Sequence, residues 1–149
     1  MFNKILVPVD GSSLAQQAAT FAIQFAREHG AELVVLSVAQ PNPIEADDVA
    51  IIPDSATDNS ILLAAAQQHV EQVLQPARAA GVACQGITAL SFQPHEEIIQ
   101  AAAAHGCDVV FMASHGRRGL SRLVAGSVTQ NVLLHSNIPV LVLRPGATR

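Results

Sequence analysis

Short apolar runs that end in turn residues alternate along this chain with longer stretches of helical spacing. Lys4–Val9 (KILVPV) stops at Asp10-Gly11-Ser12, the pattern of a buried strand meeting a turn. Ser12 or Ser13 is placed to cap a helix whose apolar positions are Leu14, Ala18, Phe21, Ala22 and Phe25, and Gly30 is placed to close it. Glu32–Ala39 (ELVVLSVA) reads as a second strand. Residues 40–59 hold three prolines and five of the twelve acidic residues, which predicts a long polar surface loop. A second helix is expected from about Ser60 to Ala80, with a kink or an early stop at Pro76.

The second half repeats the alternation. Val82–Leu90 reads as strand three. Pro94 stands at a first helical position with Glu96 and Glu97 behind it, and Gly106 ends that helix. Asp108–Ala113 (DVVFMA) is strand four and Ser114–Ala125 a loop. Gly126–His135 is helix four and Pro139–Arg144 (PVLVLR) strand five. The order βαβαβαβαβ, with strands that do not alternate polar and apolar, predicts one α/β domain. An open parallel five-stranded sheet would carry helices on both faces, joined by right-handed crossovers.

Composition refines this picture. The chain has 149 residues, half of them apolar, and its only aromatic residues are five phenylalanines. Its core must be built from Ala, Val, Leu and Ile, which suits helices laid closely on a buried sheet. Cys84 and Cys107 form no CxxC pair and no His/Cys ligand spacing, so free thiols in a reducing compartment are expected. Neither a signal peptide nor an apolar run of about 18 residues is evident. A cytoplasmic protein without a membrane partner is the expectation. The formal net charge of −4 argues against a nucleic-acid binder.

Charge is unevenly distributed. All twelve carboxylates lie at or before Asp108, while Arg117, Arg118, Arg122, Arg144 and Arg149 follow it. The C-terminal quarter therefore offers either a basic solvated face or a place for an anion. In a parallel sheet, ligands bind beyond the carboxyl ends of the strands where the strand order reverses. Of the loops there, Ala113–Ser127 looks built for an anion. It holds Gly116, Gly119 and Gly126, several hydroxyls and three arginines, and it runs into a helix N-terminus. Glycine lets the backbone approach a phosphate or take positive φ. The first-turn N–H groups of Ser127, Val128 and Thr129 would point at the anion with the helix dipole behind them, and the hydroxyls of Ser127 and Thr129 would add to them. Contacts to a charged acceptor contribute roughly 1–3 kcal/mol each, and micromolar affinity requires about 8 kcal/mol. Neither GxxxxGK[ST] nor a GxGxxG after strand one is present, so a P-loop NTPase and a dinucleotide dehydrogenase are both disfavoured. A plain strand-to-helix connection remains the alternative.

KILVPVDGS at the N-terminus, QPHEEII before helix three, DVVFMASHGRRGL at strand four and AGSVTQNVLLHSNIPVLVLR at the end together resemble the universal stress protein family over essentially the whole chain. The nucleotide-binding branch of that family carries G-x2-G-x9-G-[ST]. Here Ala113-Ser114-His115-Gly116 is followed by nine residues and then Gly126-Ser127. Three of the four marked positions match, and Ala113 departs, its methyl a candidate obstruction to the nucleotide. The resemblance implies a Rossmann-like strand order 3-2-1-4-5 and ATP as ligand, with Mg2+ or Mn2+ carried on the phosphates and no metal held by protein side chains. It implies that His115, Gly116, Arg117, Gly126, Ser127, Val128 and Thr129 surround the phosphates and that Ala113 lies along the ribose. Pro8, Val9, Asp10 and Val38 would frame adenine and ribose, although a carboxylate such as Asp10 at a strand end also serves simply as a turn residue.

Ser114-His115 invites a nucleophile-base reading. Adjacent residues leaving a strand are expected to point apart, and no carboxylate is placed to orient the histidine, so no catalytic residue is assigned. The remaining histidines, His69 included, read as structural or surface residues. Strand five is apolar and is expected at a sheet edge, which is a pairing hazard unless covered. The resemblance implies antiparallel pairing across a homodimer through Val140, Leu141, Val142 and Leu143. Three readings follow: an ATP-dependent dimeric regulator in stress signalling, a dimeric interaction protein without nucleotide, or a slow ATP hydrolase.

Overall fold

The computed structural model describes residues 1–41, 55–116 and 125–146. Strands β1 (Lys4–Pro8), β2 (Glu32–Ala39), β3 (Cys84–Leu90), β4 (Val109–Ala113) and β5 (Val140–Leu143) alternate with helices α1 (Ser13–His29), α2 (Ser55–Ala79), α3 (Pro94–Ala104) and α4 (Ser127–His135). The strands form one sheet in the order β3-β2-β1-β4-β5, and every neighbouring pair is parallel. The expected order is the one found.

Because successive strand residues face opposite sides, the buried strands feed two cores. Ile5, Val7, Leu33, Val35, Val109 and Phe111 meet α1 and α2 on one face. Leu6, Val34, Leu36, Val110 and Met112 meet Ile98 and Ala102 of α3 and Val132 of α4 on the other. Burying each Val, Leu or Ile contributes about 1.5–3 kcal/mol. Alanines at 15, 18, 19, 22 and 26 form the buried stripe of α1, and with no side chain beyond Cβ they let the helix sit close to the sheet. Phe2, Phe21, Phe25 and Phe111 fill what remains: Phe25 meets Phe111 edge-on with centroids 5.3 Å apart. Gly86 serves packing in the same way, since a Cβ there would overlap Val70 and Leu74 of α2.

Helix ends follow local chemistry. The Ser12 hydroxyl accepts from Ala15 N–H at 3.3 Å, and Gly30 closes α1 in the left-handed region at φ 70°. Strand β3 begins at Cys84 rather than Val82, because Val82 N–H bonds back to Ala77 O at 3.0 Å and closes α2 around Gly81. Helix α2 begins at Ser55, earlier than expected, and ends at Ala79, so Pro76 lies in its final turn. Its N-terminal turn converts the end of the expected loop into helix. The acidic residues Glu45, Asp47, Asp48 and Asp54 and the arginines Arg117, Arg118, Arg122 and Arg149 lie outside the described residues. Both cysteines are free, Cys84 half-buried and Cys107 buried. Burial pushes the Cys107 thiol up to about 11. Among the described residues no helix is long and apolar enough to cross a membrane.

Candidate functional site

Strand order reverses between β1 and β4, so the loops after these strands diverge and leave a crevice at their carboxyl ends. A cavity of about 450 Å3 lies there, within the range of small-ligand sites. Pro8, Val9 and Asp10 line it from β1, Val38 from β2, Ala113, His115 and Gly116 from β4, and Gly126, Ser127, Val128 and Thr129 from the start of α4. These are the expected site residues, brought together in one place. Arg117 lies outside the described residues.

Helix α4 opens toward this cavity without a side-chain cap. Gly126 occupies the N-cap position at φ −62° and ψ 163°, and among the described residues no side-chain cap bonds to the first turn. Gln130 N–H is the first to bond back into the helix, to Gly126 O at 3.0 Å. The N–H groups of Ser127, Val128 and Thr129 thus have no intrahelical partner, and the positive end of the dipole stands behind them. Space is available there: a Cβ on Gly126 would approach nothing closer than Ser114 O at 3.5 Å.

Several expectations need correction. Neither Gly116 nor Gly126 adopts positive φ, so left-handed backbone is not why glycine stands at either position. At Gly116 the reason is close approach, because a Cβ would fall on the Asp10 carboxylate. Ala113 likewise has ordinary backbone, and its methyl forms part of the cavity wall without closing it. The Thr129 hydroxyl donates to Ala113 O at 2.9 Å, tying α4 to the end of β4 rather than offering its proton to a ligand. Asp10 serves as a turn carboxylate and also stands where the ligand role would place it. Its Oδ1 accepts from Ser12 N–H at 3.0 Å, as a turn carboxylate does, and the residue also lines the cavity.

Ser114 and His115 do not point apart. Ser114 Oγ and His115 Nδ1 are 2.8 Å from each other. Ser114 is buried and does not line the cavity, whereas His115 does. His115 Nε2 is buried and has no hydrogen-bond partner among the described residues. Such an orphaned polar atom beside uncapped amides suits a group that brings its own acceptors. Among the described residues no cluster of three or more His, Cys, Asp or Glu is placed to hold a metal ion.

The sequence profile of the universal stress protein family matches residues 1–144. The chain belongs to the universal stress protein family. It is 30% identical to universal stress protein MJ0577 of Methanocaldococcus jannaschii, over 97% of this chain and 96% of that one. It is also 30% identical to universal stress protein YxiE of Bacillus subtilis, over 97% and 100%. The solved structure of MJ0577 superposes with a TM-score of 0.81 at 31% identity, covering 96% of each chain. A family protein from Arabidopsis thaliana, solved with AMP bound, shares the fold with a TM-score of 0.69 at 18% identity, covering 97% of this chain and 93% of that one.

One wall of this universal stress protein's cavity escaped sequence reasoning. Leu62, Ala65, Ala66 and His69 of α2 line it opposite α4. Their i, i+3, i+4, i+7 spacing marks a single helix face, which was the available signal. His69 lies over Gly11, whose φ of 82° and lack of a side chain leave room for the ring.

Proposed function

We propose that this universal stress protein binds an adenine nucleotide, ATP with Mg2+ or Mn2+ on its phosphates, in the crevice between β1 and β4. The observation that carries the reading is the uncapped first turn of α4 opening on a cavity between Gly116 and Gly126. Backbone N–H groups of Ser127 and Val128, with the dipole behind them, hold phosphate oxygens. Val9, Val38 and Pro8 supply apolar walls for adenine, and Ala113 lies along the ribose. The Asp10 carboxylate, an acceptor only, suits the ribose hydroxyls or the adenine amino group. It also lies against Gly116, so a divalent cation on the phosphates offsets the repulsion between like charges. Proteins of this fold have been solved in complex with cAMP and with AMP bound, which supports the choice of an adenine nucleotide.

The nucleotide state is proposed to bias a homodimer that acts in cytoplasmic stress signalling. Among the described residues β5 pairs only with β4, leaving its outer edge open. Leu141 on one side of that edge and Leu133 and Leu134 of α4 are exposed apolar residues. Of the side chains expected at the interface, Leu143 belongs to the core instead, and Val140 and Val142 pack partly against the second core. The interface therefore consists of β5 main chain with Leu141, flanked by the two α4 leucines. No residue is assigned as a general base, and rapid hydrolysis is not part of the proposal.

Calorimetry with ATP and Mg2+ tests the binding. A micromolar constant that Gly126→Val abolishes supports it, while no heat from a folded wild-type protein favours a dimeric interaction protein without nucleotide. Phosphate release above background in single turnover would instead favour the slow hydrolase.

A further inference from the structure

Two histidines that do not line the cavity meet on neighbouring helices. His95 is the second residue of α3 and half-buried, and His135 is the last residue of α4 and exposed. Their ring centroids are 6.0 Å apart and the rings are tilted by 34°. Two imidazoles that share one ion through nitrogens about 2.1 Å from it have ring centroids about 5–6.5 Å apart. The observed spacing falls in that interval, so neither helix has to move for both rings to reach one ion.

The His135 ring is tethered as a metal ligand is. Its Nδ1 is 2.9 Å from Asn131 O. A carbonyl only accepts, so Nδ1 carries the hydrogen and neutral His135 keeps its lone pair on Nε2. Metal-ligating histidines use this division: one ring nitrogen donates to a backbone carbonyl or carboxylate, and the other takes the ion. His29 supplies the contrast. It has the same tether, with Nδ1 3.0 Å from Phe25 O, but the ring stacked on it at 4.1 Å is that of Phe25. A tethered histidine beside a phenylalanine offers an ion one ligand, and beside a second histidine it offers two.

Ligand chemistry narrows the ion. Imidazole nitrogens suit Zn2+, Ni2+ and Cu2+, whereas Mg2+ and Ca2+ take oxygen. Among the described residues no cluster of three or more His, Cys, Asp or Glu is placed to hold a metal, so water fills the remaining positions. Such a site is open and exchangeable, unlike the closed four-ligand sites of structural zinc.

We propose that His95 and His135 form a two-histidine site for a divalent cation of the zinc class, which joins α3 to α4. This departs from the expectation that no side chain holds a metal. It is independent of the nucleotide reading and of any Mg2+ or Mn2+ carried on phosphates.

The test titrates the full chain, free of nucleotide, with ZnCl2 by calorimetry and follows the histidine ring nitrogens by nitrogen-15 NMR. A micromolar constant is expected. Zinc should shift Nε2 of His135 while its Nδ1 stays protonated, and a ring nitrogen of His95 should move at the same zinc concentrations. His95→Gln and His135→Gln should each weaken zinc binding about tenfold or more, and His29→Gln should leave it unchanged. Cu2+ should bind more tightly than Zn2+, and about a hundredfold excess of Mg2+ should not displace zinc. No binding at millimolar zinc overturns the proposal, as does unchanged affinity in a folded His95→Gln or His135→Gln protein. Should a variant fail to fold, the wild-type rings decide: both moving together supports the site, and one moving without the other overturns it.

Discussion

Two strand-to-helix junctions stand side by side at the point where the strand order reverses, and they end in opposite ways. After β1, Asp10 accepts from Ser12 N–H and the Ser12 hydroxyl accepts from Ala15 N–H, so the start of α1 is satisfied by its own chain. After β4, the N-cap of α4 is Gly126, and among the described residues no side-chain cap bonds to the first turn. Both helices begin beside the same crevice, with dipoles of the same sense. A fold that caps one and leaves its neighbour bare has separated two tasks. On the nucleotide reading, the α1 junction holds the architecture and the α4 junction keeps its amides for the phosphates.

The comparison can be broken most severely by giving α4 the cap it lacks. The backbone of Gly126 is extended, at φ −62° and ψ 163°, and admits any residue. Gly126→Asn should place a side-chain oxygen on the first-turn amides and reduce ATP affinity about tenfold to hundredfold. Thermal stability should stay level or rise by a few tenths of a kcal/mol, roughly what a cap adds over glycine. Binding and stability moving in opposite directions, by calorimetry and melting, is the expected signature. Removing the divalent cation comes next. With Asp10 close to Gly116, chelation by EDTA should weaken ATP binding about tenfold, one unit on the logarithmic affinity scale, and weaken AMP less.

The complementary change is made at α1. Ser12→Ala should cost about 1 kcal/mol, read as a melting temperature lower by about 3 °C, while ATP affinity stays at the wild-type value. A loss of affinity as large as that from Gly126→Asn would erase the distinction between the junctions. The smallest expected effect lies far from both. Burial raises Cys107 from an ordinary 9.0 to about 11 in the folded chain, so the native state holds that proton more tightly than the unfolded one. Its contribution is intact below about pH 9 and declines as pH rises toward 11. In urea titrations Cys107→Ala should flatten that alkaline decline.

Much of this was legible in the sequence because it depends on periodicity and local punctuation. Unbroken apolar runs marked the strands, Ser12 and Gly30 bracketed α1, and Pro94 opened α3. Spacing around Gly116 and Gly126 pointed to two glycines that line the cavity. What escaped depends on contacts between distant elements. His69 reaches the cavity because α2 returns across the carboxyl end of the sheet, and no local pattern states where a helix face will land. Gly86 carries no local mark within β3, and only the packing of Val70 and Leu74 of α2 against it explains the glycine. The Thr129 hydroxyl faced a choice between a ligand and Ala113 O that only the closeness of α4 to β4 decides. Ser114 and His115 converge although strand alternation separates neighbours, because the chain leaves β4 after Ala113 and the alternation ends there.

The most direct measurement follows backbone amide resonances while ATP with Mg2+ is added to nitrogen-15-labelled protein. Large downfield shifts at Ser127 and Val128, with little change at Ala15 in the capped first turn of α1, are the predicted result. Saturable ATP binding that leaves those two amides unmoved would contradict the account, because the phosphates would then be held elsewhere.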